Sequence, residues 1–503
     1  MPTSNGGAGP VGVAGADGAG GRPDPAGGGA PPTQSGGSGG GSPAPSAGAG
    51  GGSTVRVLGE PNASAKNPAV THIFTADPSA DEYEGRVYVF TSHDTDTQDG
   101  YDMVDYHAFS SDDLVNWQDH GVVLDSRDIS WAPSLYAPDS CYSEENDQYY
   151  LYFPNSGSGI GVATSDTPGG PYEAQLGRPL IDPNTPGVSD VDWLFDPTCF
   201  IDDDGQAYLY FGGGPSGTGE NARVIRLGAD MLSLADDTAT TIVAPDFFEA
   251  SFMHKYEGRY YYSYSTGFDN HPPYIDYMVS DQPMSGFEYA GTILASPAEN
   301  NDDNNHHSML EYQGQWYLFY HNRVLSNQVG ASNFQRSITL DKMSYDAQGN
   351  INEVPVDMGD VPQLKSVDAL ARIEAELIAA EQGIETDSAL EGGERVGVML
   401  TSLENGDWVA VSQLDFATGT TQFHARVASA AGGAVIEVHQ GGCEGFRGPG
   451  TLVGSCEVPS TGGDQSWTDV SCDIATEGGV HDLCLRFTGG AGQLLNLDYY
   501  RFE

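Results

Sequence analysis

From about residue 55 to 360, apolar and polar positions alternate in short runs rather than at helical spacing, and one run recurs five times. It reads GRVYVFTSHD from Gly85, DQYYLYFPNS from Asp147, GQAYLYFGGG from Gly205, GRYYYSYSTG from Gly258 and GQWYLFYHNR from Gly314, at steps of 62, 58, 53 and 56 residues. Each copy is a Gly or Asp turn signal followed by β-branched and aromatic residues, the pattern of a strand leaving a hairpin. Most copies are followed by a second pattern that closes on an apolar strand, as in SSDDLVNWQDHGVVL and VSDQPMSGFEYAGTIL. A long repeat built of about four short strands predicts a β-propeller, and five copies predict five blades.

The repeats also place the polar residues. Eight or nine positions before each start stands one ionisable residue: Asp77, Asp139, Asp196, Glu249 and His306. In a propeller the first strand of each blade lines the central channel, so the five are expected to converge at one end of it. A lone carboxylate there commonly does no more than satisfy backbone donors. Four with a histidine repel one another, and that cost points to a functional site. Carboxylates in a desolvated funnel have split pKa values, so one stays protonated while another stays ionised, which is the pair glycoside hydrolysis needs. Tyr136, Trp193, Phe247 and Phe248 flank the ring and can stack on sugar faces, although packing accounts for any one of them alone. The chain has no nucleophile elbow, phosphate loop or zinc motif.

Charge narrows the partners. With 20 Lys+Arg against 71 Asp+Glu the net charge is −51, which argues against nucleic acid and against anionic membrane surfaces. Hydrophobic residues make up 38%, and no run approaches the roughly 20 apolar residues of a membrane span. The expected partner is a neutral poly- or oligosaccharide, acted on by a monomer. Residues 1–53 are Gly/Pro/Ala/Ser-rich and are expected to form a disordered low-complexity linker. No basic and apolar leader follows Met1, so a secreted or cell-surface tethered protein is expected whose signal segment is not in this chain. Four of the six cysteines crowd the C-terminal end, as in a small disulfide-stapled domain; spacing leaves three connectivities open, and buried free thiols are the alternative. The propeller is expected over 54–356 and a linker over 357–368. A β-sandwich follows over 369–503, where DWVAVSQLDF, TQFHARVAS and AVIEVHQGG alternate as antiparallel strands.

NPAVTHIFTADPSA, FDPTCFIDDDG, FFEASFMHKYEGRYYYSYSTG and HHSMLEYQGQWYLFYH together resemble glycoside hydrolase family 43, over about residues 66–345. The resemblance implies five-bladed propellers that act with inversion, here nearest the arabinoxylan arabinofuranohydrolases, with β-xylosidases close behind. It implies Asp77 as general base, Glu249 as general acid and Asp196 as the residue that tunes and orients the acid. It puts His306 near a structural cation on the axis, usually calcium, with His307 beside it, and makes Arg336 a substrate-binding arginine. Tyr136, Asp139, Trp193 and Phe248 join the sugar-binding set. Two positions depart from the family pattern: Ala250-Ser251 replaces Gly-Pro after the acid, and Tyr136 replaces a Trp. Residues 370–503 resemble a carbohydrate-binding module of family 6, a jelly-roll sandwich in which Glu374, Glu376 and Asp498 are expected to hold a second calcium. Its two sugar-stacking aromatics are Val398 and Asp464 here and only Asn496 of the binding face remains, so weak or no xylan binding by the module is expected. Trp467 aligns with a core Trp.

The expected function is therefore an inverting exo-glycosidase releasing terminal pentosyl residues, an α-L-arabinofuranosidase acting on arabinoxylan or arabinan side chains. The alternatives are a β-xylosidase, a same-fold glycosidase on an algal galactan, and a non-catalytic sugar-binding propeller.

Overall fold

The computed structural model describes residues 56–65, 67–96, 100–215, 220–267, 272–295, 304–356 and 361–503. The linker expected over 1–53 lies outside them. The described chain is all-β apart from one short helix, Val324–Val329, and a single 3-10 turn.

Five antiparallel sheets follow one another along residues 75–343, each in strictly sequential strand order. They open with the strands Thr75–Tyr83, Asp139–Ser143, Thr198–Ile201, Phe247–Tyr256 and His307–Tyr312. The five aromatic runs are the second strands, from Arg86–His93 to Gln315–Asn322. Glu84-Gly85 and Glu257-Gly258 both have positive φ at each residue, the two-residue turn whose twist matches the flanking strands. First strands contact one another in succession, and His307–Tyr312 returns to contact Thr75–Tyr83.

Alternation puts one face of each sheet against the next. Val87, Val89 and Phe109 pack on Phe319 and Leu340 of the fifth sheet, while Phe90, Tyr106 and Ala108 pack on Leu151 and Phe153 of the second. The fifth sheet has three strands, and the N-terminal segment borders its outer edge: Ala69 N donates to the Ile338 carbonyl, and Asn67 exchanges two hydrogen bonds with the Leu340 backbone.

Residues 367–502 form two six-stranded sheets packed face to face around Leu400, Val411, Phe423, Ile436, Leu485 and Leu497. Disulfides join Cys443 to Cys484 and Cys456 to Cys472, and a third links Cys141 to Cys199 between the first strands of the second and third sheets. Among the described residues no cysteine is free.

The two parts share strands. Leu377–Ile378 pairs with Trp117 and Gln118 as a fifth strand of the first sheet. Asn116 and the Ser412 backbone exchange two hydrogen bonds, and Gln363 donates to Asp113 and to the Ser412 carbonyl. The described part of the expected linker, 361–368, is therefore packed: Val361 and Gln363 are buried and Val367–Asp368 pairs with Leu414–Asp415. Its polarity serves interior hydrogen bonds, which composition does not distinguish from solvation.

Candidate active site

Asp77, Asp196 and Glu249 stand at the start of the first strands of sheets one, three and four or just before it, all at one end of the ring. At each the backbone is irregular. Asp77 and Asp196 have φ of 52° and 46°, and Ala250, next to Glu249, has φ of 59°. The pairing register shifts between Ala76 and Ser79 and on both sides of Glu249. Bulges re-aim a side chain at the end of a strand, and non-glycine residues held left-handed cost about 1–3 kcal/mol each, a cost typical of working sites.

The carboxylates are 4, 5 and 9% exposed, so each is largely stripped of water. Asp77 receives Arg336 Nη1 on Oδ1 at 2.7 Å and Ser92 Oγ on Oδ2 at 2.8 Å, and its N–H donates to His321 Nδ1 at 3.2 Å. Burial alone would raise its pKa, but the Arg336 charge and the His321 contact outweigh burial and hold the carboxyl well below the usual range. Asp196 Oδ2 accepts the Ala250 N–H at 2.8 Å. Burial and then the charge of Asp77 push its pKa up to about 8. Glu249 is raised well above its ordinary value, first by burial and then by Asp196 and Asp77. Asp77 is thus ionised at neutral pH while Glu249 and, below about pH 8, Asp196 keep their protons. His306 lies with Nδ1 3.8 Å from Asp77 and 3.7 Å from Asp196, and burial pulls its pKa down to about 4, so it stays neutral.

A frame that sequence reading missed holds this group. Asn304 bonds the Glu249 side chain, its Oδ1 accepts from Tyr101 and Arg323, and its carbonyl lies 3.1 Å from His321 Nε2. Asp94 grips Arg336 through Nε and Nη2 at 2.9 and 2.8 Å, and the Arg336 guanidinium sits 4.9 Å from the Tyr101 ring centroid. The signal was present: Asp94, His321 and Arg323 close the first and fifth aromatic runs, and antiparallel pairing returns those ends beside the start of the first strands.

Aromatic rings form one wall. Tyr136 stacks on Phe195 with centroids 5.6 Å apart, Phe195 lies 5.4 Å from Trp193, and Trp193 meets Phe248 edge-on at 5.7 Å. All four are partly exposed. Phe195 was not singled out from the sequence, although it adjoins Asp196 as Phe248 adjoins Glu249.

The other residues of the sequence-derived set take different places. Asp139 is buried further along the ring, its carboxylate taking Ser79 Oγ and the Cys199 N–H at 2.7 Å each. His307 turns into the packing between sheets, 2.7 Å from Ser263 Oγ. Arg336 is 1% exposed and engaged by Asp77 and Asp94. Asn496 is buried in the sandwich, bonded to the Asp464 carbonyl, Thr401 and Gln493. Val398 is buried too, its Cγ2 3.2 Å from where a Cβ on Gly121 would stand, so that position faces the junction with the first sheet. Glu374 pairs with Arg372, Asp498 with Arg426, and Glu376 accepts from Gln118 on one oxygen.

Comparison with known proteins places this arrangement. The family described as Glycosyl hydrolases family 43 matches residues 65–351, and Carbohydrate binding module (family 6) matches 374–503. The chain is 42% identical to an arabinoxylan arabinofuranohydrolase of Paenibacillus polymyxa, covering 87% of this chain and 74% of that protein. It is 40% identical to one of Bacillus subtilis, covering 87% and 92%. A Xylosidase/arabinosidase 43A of Humicola insolens is 38% identical over 56% of this chain. A solved family 43 arabinoxylan arabinofuranohydrolase from Bacillus subtilis, in complex with cellotetraose, superposes with a TM-score of 0.80 at 39% identity over 87% of this chain and 97% of its own.

Proposed function

The chain belongs to glycosyl hydrolase family 43, and on that footing we propose that it is an inverting, exo-acting α-L-arabinofuranosidase that removes arabinofuranosyl side chains from arabinoxylan. The reading rests chiefly on the opposed protonation of Asp77 and Glu249 inside one buried ring. Glu249 is the general acid: it gives its proton to the glycosidic oxygen as the bond to the anomeric carbon breaks. Asp77 is the general base: it takes a proton from the water that attacks the opposite face. Asp196 is the positioning residue, since its bond to Ala250 N anchors the acid's backbone. Arg336 keeps Asp77 ionised. The partly exposed rings of Tyr136, Phe195, Trp193 and Phe248 offer a stacking wall for the sugar. The five sheets are the blades of a five-bladed propeller, a reading supported by the contact of His307–Tyr312 with Thr75–Tyr83.

The cation assignments follow donor chemistry. Glu374, Glu376 and Asp498 are the proposed calcium ligands of the sandwich; Glu376 Oε2 is buried without a hydrogen-bond partner, and oxygen donors suit calcium. Near His306 the fit is poor. An imidazole nitrogen is a donor that calcium does not favour. No step of the reaction is routed through a cation there. The three disulfides fit an extracellular location. Among the described residues no helix is long and apolar enough to cross a membrane.

Incubation with arabinoxylan, followed by proton NMR of the first-formed product, tests the reading. Free arabinose of inverted anomeric configuration is expected. Retained configuration would remove the assigned roles, xylose in place of arabinose would favour the β-xylosidase reading, and no monosaccharide would favour a binding propeller.

A further inference from the structure

Outside the catalytic ring the first sheet carries a second cluster of chemically able side chains. Ser92 pairs with Tyr106 across the strands Arg86–His93 and Asp105–Ser111, which sets His93 opposite Asp105, and alternation puts His107 on the same face as Asp105. One donor atom from each of His93, Asp105 and His107 lies within 4.8 Å of the other two. His93 Nδ1 is 2.8 Å from Asp105 Oδ1, and the two imidazoles meet edge to face with centroids 5.2 Å apart. We propose that His93, Asp105 and His107 bind a late first-row divalent cation, zinc in the first instance, at a site separate from the reaction.

The surroundings favour such a site. Asp119 is fully buried and lies 3.2 Å from His107 Nδ1. It does not swing, because His72, the Gly121 N–H and Thr386 of the sandwich also bind its two oxygens. A carboxylate locked behind a histidine fixes the ring's tautomer and direction, as outer-shell carboxylates do at zinc centres. The side chains of His93, Asp105 and His107 are 21, 14 and 7% exposed. An ion can therefore enter from one side, and water can fill the positions that three ligands leave open. Two imidazoles and one carboxylate suit zinc, cobalt, nickel and copper, whereas calcium and magnesium prefer all-oxygen sets. The site joins two strands one residue before Asp94, the residue that grips Arg336, so its expected effect is on stability. None of the three ligands belongs to the catalytic group.

Untagged full-length protein, stripped with EDTA and held in excess calcium, is titrated with Co2+ and then Zn2+. The expected result is one saturable equivalent with visible d–d bands from cobalt, its displacement by the tighter-binding zinc, and a higher melting temperature with zinc. His93→Ala and Asp105→Asn should each weaken binding at least about tenfold and abolish the melting shift, with turnover of the metal-free protein unchanged. The proposal is overturned by the absence of saturable binding, by equal binding in both variants, or by displacement with calcium. The last two results would assign the ion to the acidic surface.

Discussion

Replacing Glu249 by Gln separates proton donation from every other role of that position. The structure makes the swap gentle. Glu249 is buried and kept protonated, first by desolvation and then by Asp196 and Asp77, so Gln changes no charge at neutral pH. The amide oxygen can still accept from Asn304. Stability should therefore move by less than about 1 kcal/mol. What is lost is the proton for the leaving oxygen. A positioned general acid contributes roughly 10²–10⁴ in rate, about 3–5 kcal/mol of barrier. A sugar alkoxide cannot leave without that proton, so kcat on arabinoxylan should fall by the full factor. A p-nitrophenolate leaves unaided, so the aryl arabinofuranoside should lose no more than about tenfold. Initial rates on the two substrates, with a thermal melt as control, give the answer. Equal losses on both substrates, with the melt unchanged, would refute the assignment of Glu249 as acid.

Three further outcomes follow from the same geometry. Arg336→Met leaves Asp77 and Asp94 buried without their cation; breaking such a pair costs about 3–5 kcal/mol in urea unfolding. Burial then raises Asp77 against only the weaker His321 and His306 contributions, so the acidic limb of the kcat/KM profile should move to higher pH, with partial return in Arg336→Lys. Asp196→Asn bears on stability against pH: the folded pKa of about 8 lies above the ordinary carboxylate value of 3.8, so this group's contribution is complete below about pH 4 and is lost as pH rises through 8. The Asn variant lacks that loss and should gain on the order of 5 kcal/mol over wild type at pH 9 but little at pH 4, read by denaturant melts at each pH. Finally, Cys443→Ser with Cys484→Ser opens a closure of 41 residues, and unfolding free energy should drop by about 4 kcal/mol.

The alternation of apolar and polar residues was enough to find every second strand of the five sheets, because a strand half-buried between neighbours shows its period directly. Counting back from those strands reached Asp77, Asp196, Glu249 and His306, since hairpin pairing ties the start of one strand to the end of the next. The same count reached Asp139, which the structure sets further along the ring on Ser79 and Cys199. Where along its strand a side chain is aimed is decided by local bulges, and bulges leave no periodic trace. Charge and composition argued against nucleic acid and pointed to a neutral substrate.

Tertiary structure alone decided the rest. Which carboxylate is ionised depends on Arg336, a residue 259 positions from Asp77 in the chain, and on how much water each group has lost. The frame of Asn304, His321 and Asp94 is assembled from two distant segments, the first sheet and the fifth. Val398 faces the first sheet because two domains share a strand through Leu377–Ile378. Sequence carries the period of a strand because that is a local property of the chain. It does not carry the protonation of a buried acid, which depends on charges and solvent brought together only by folding.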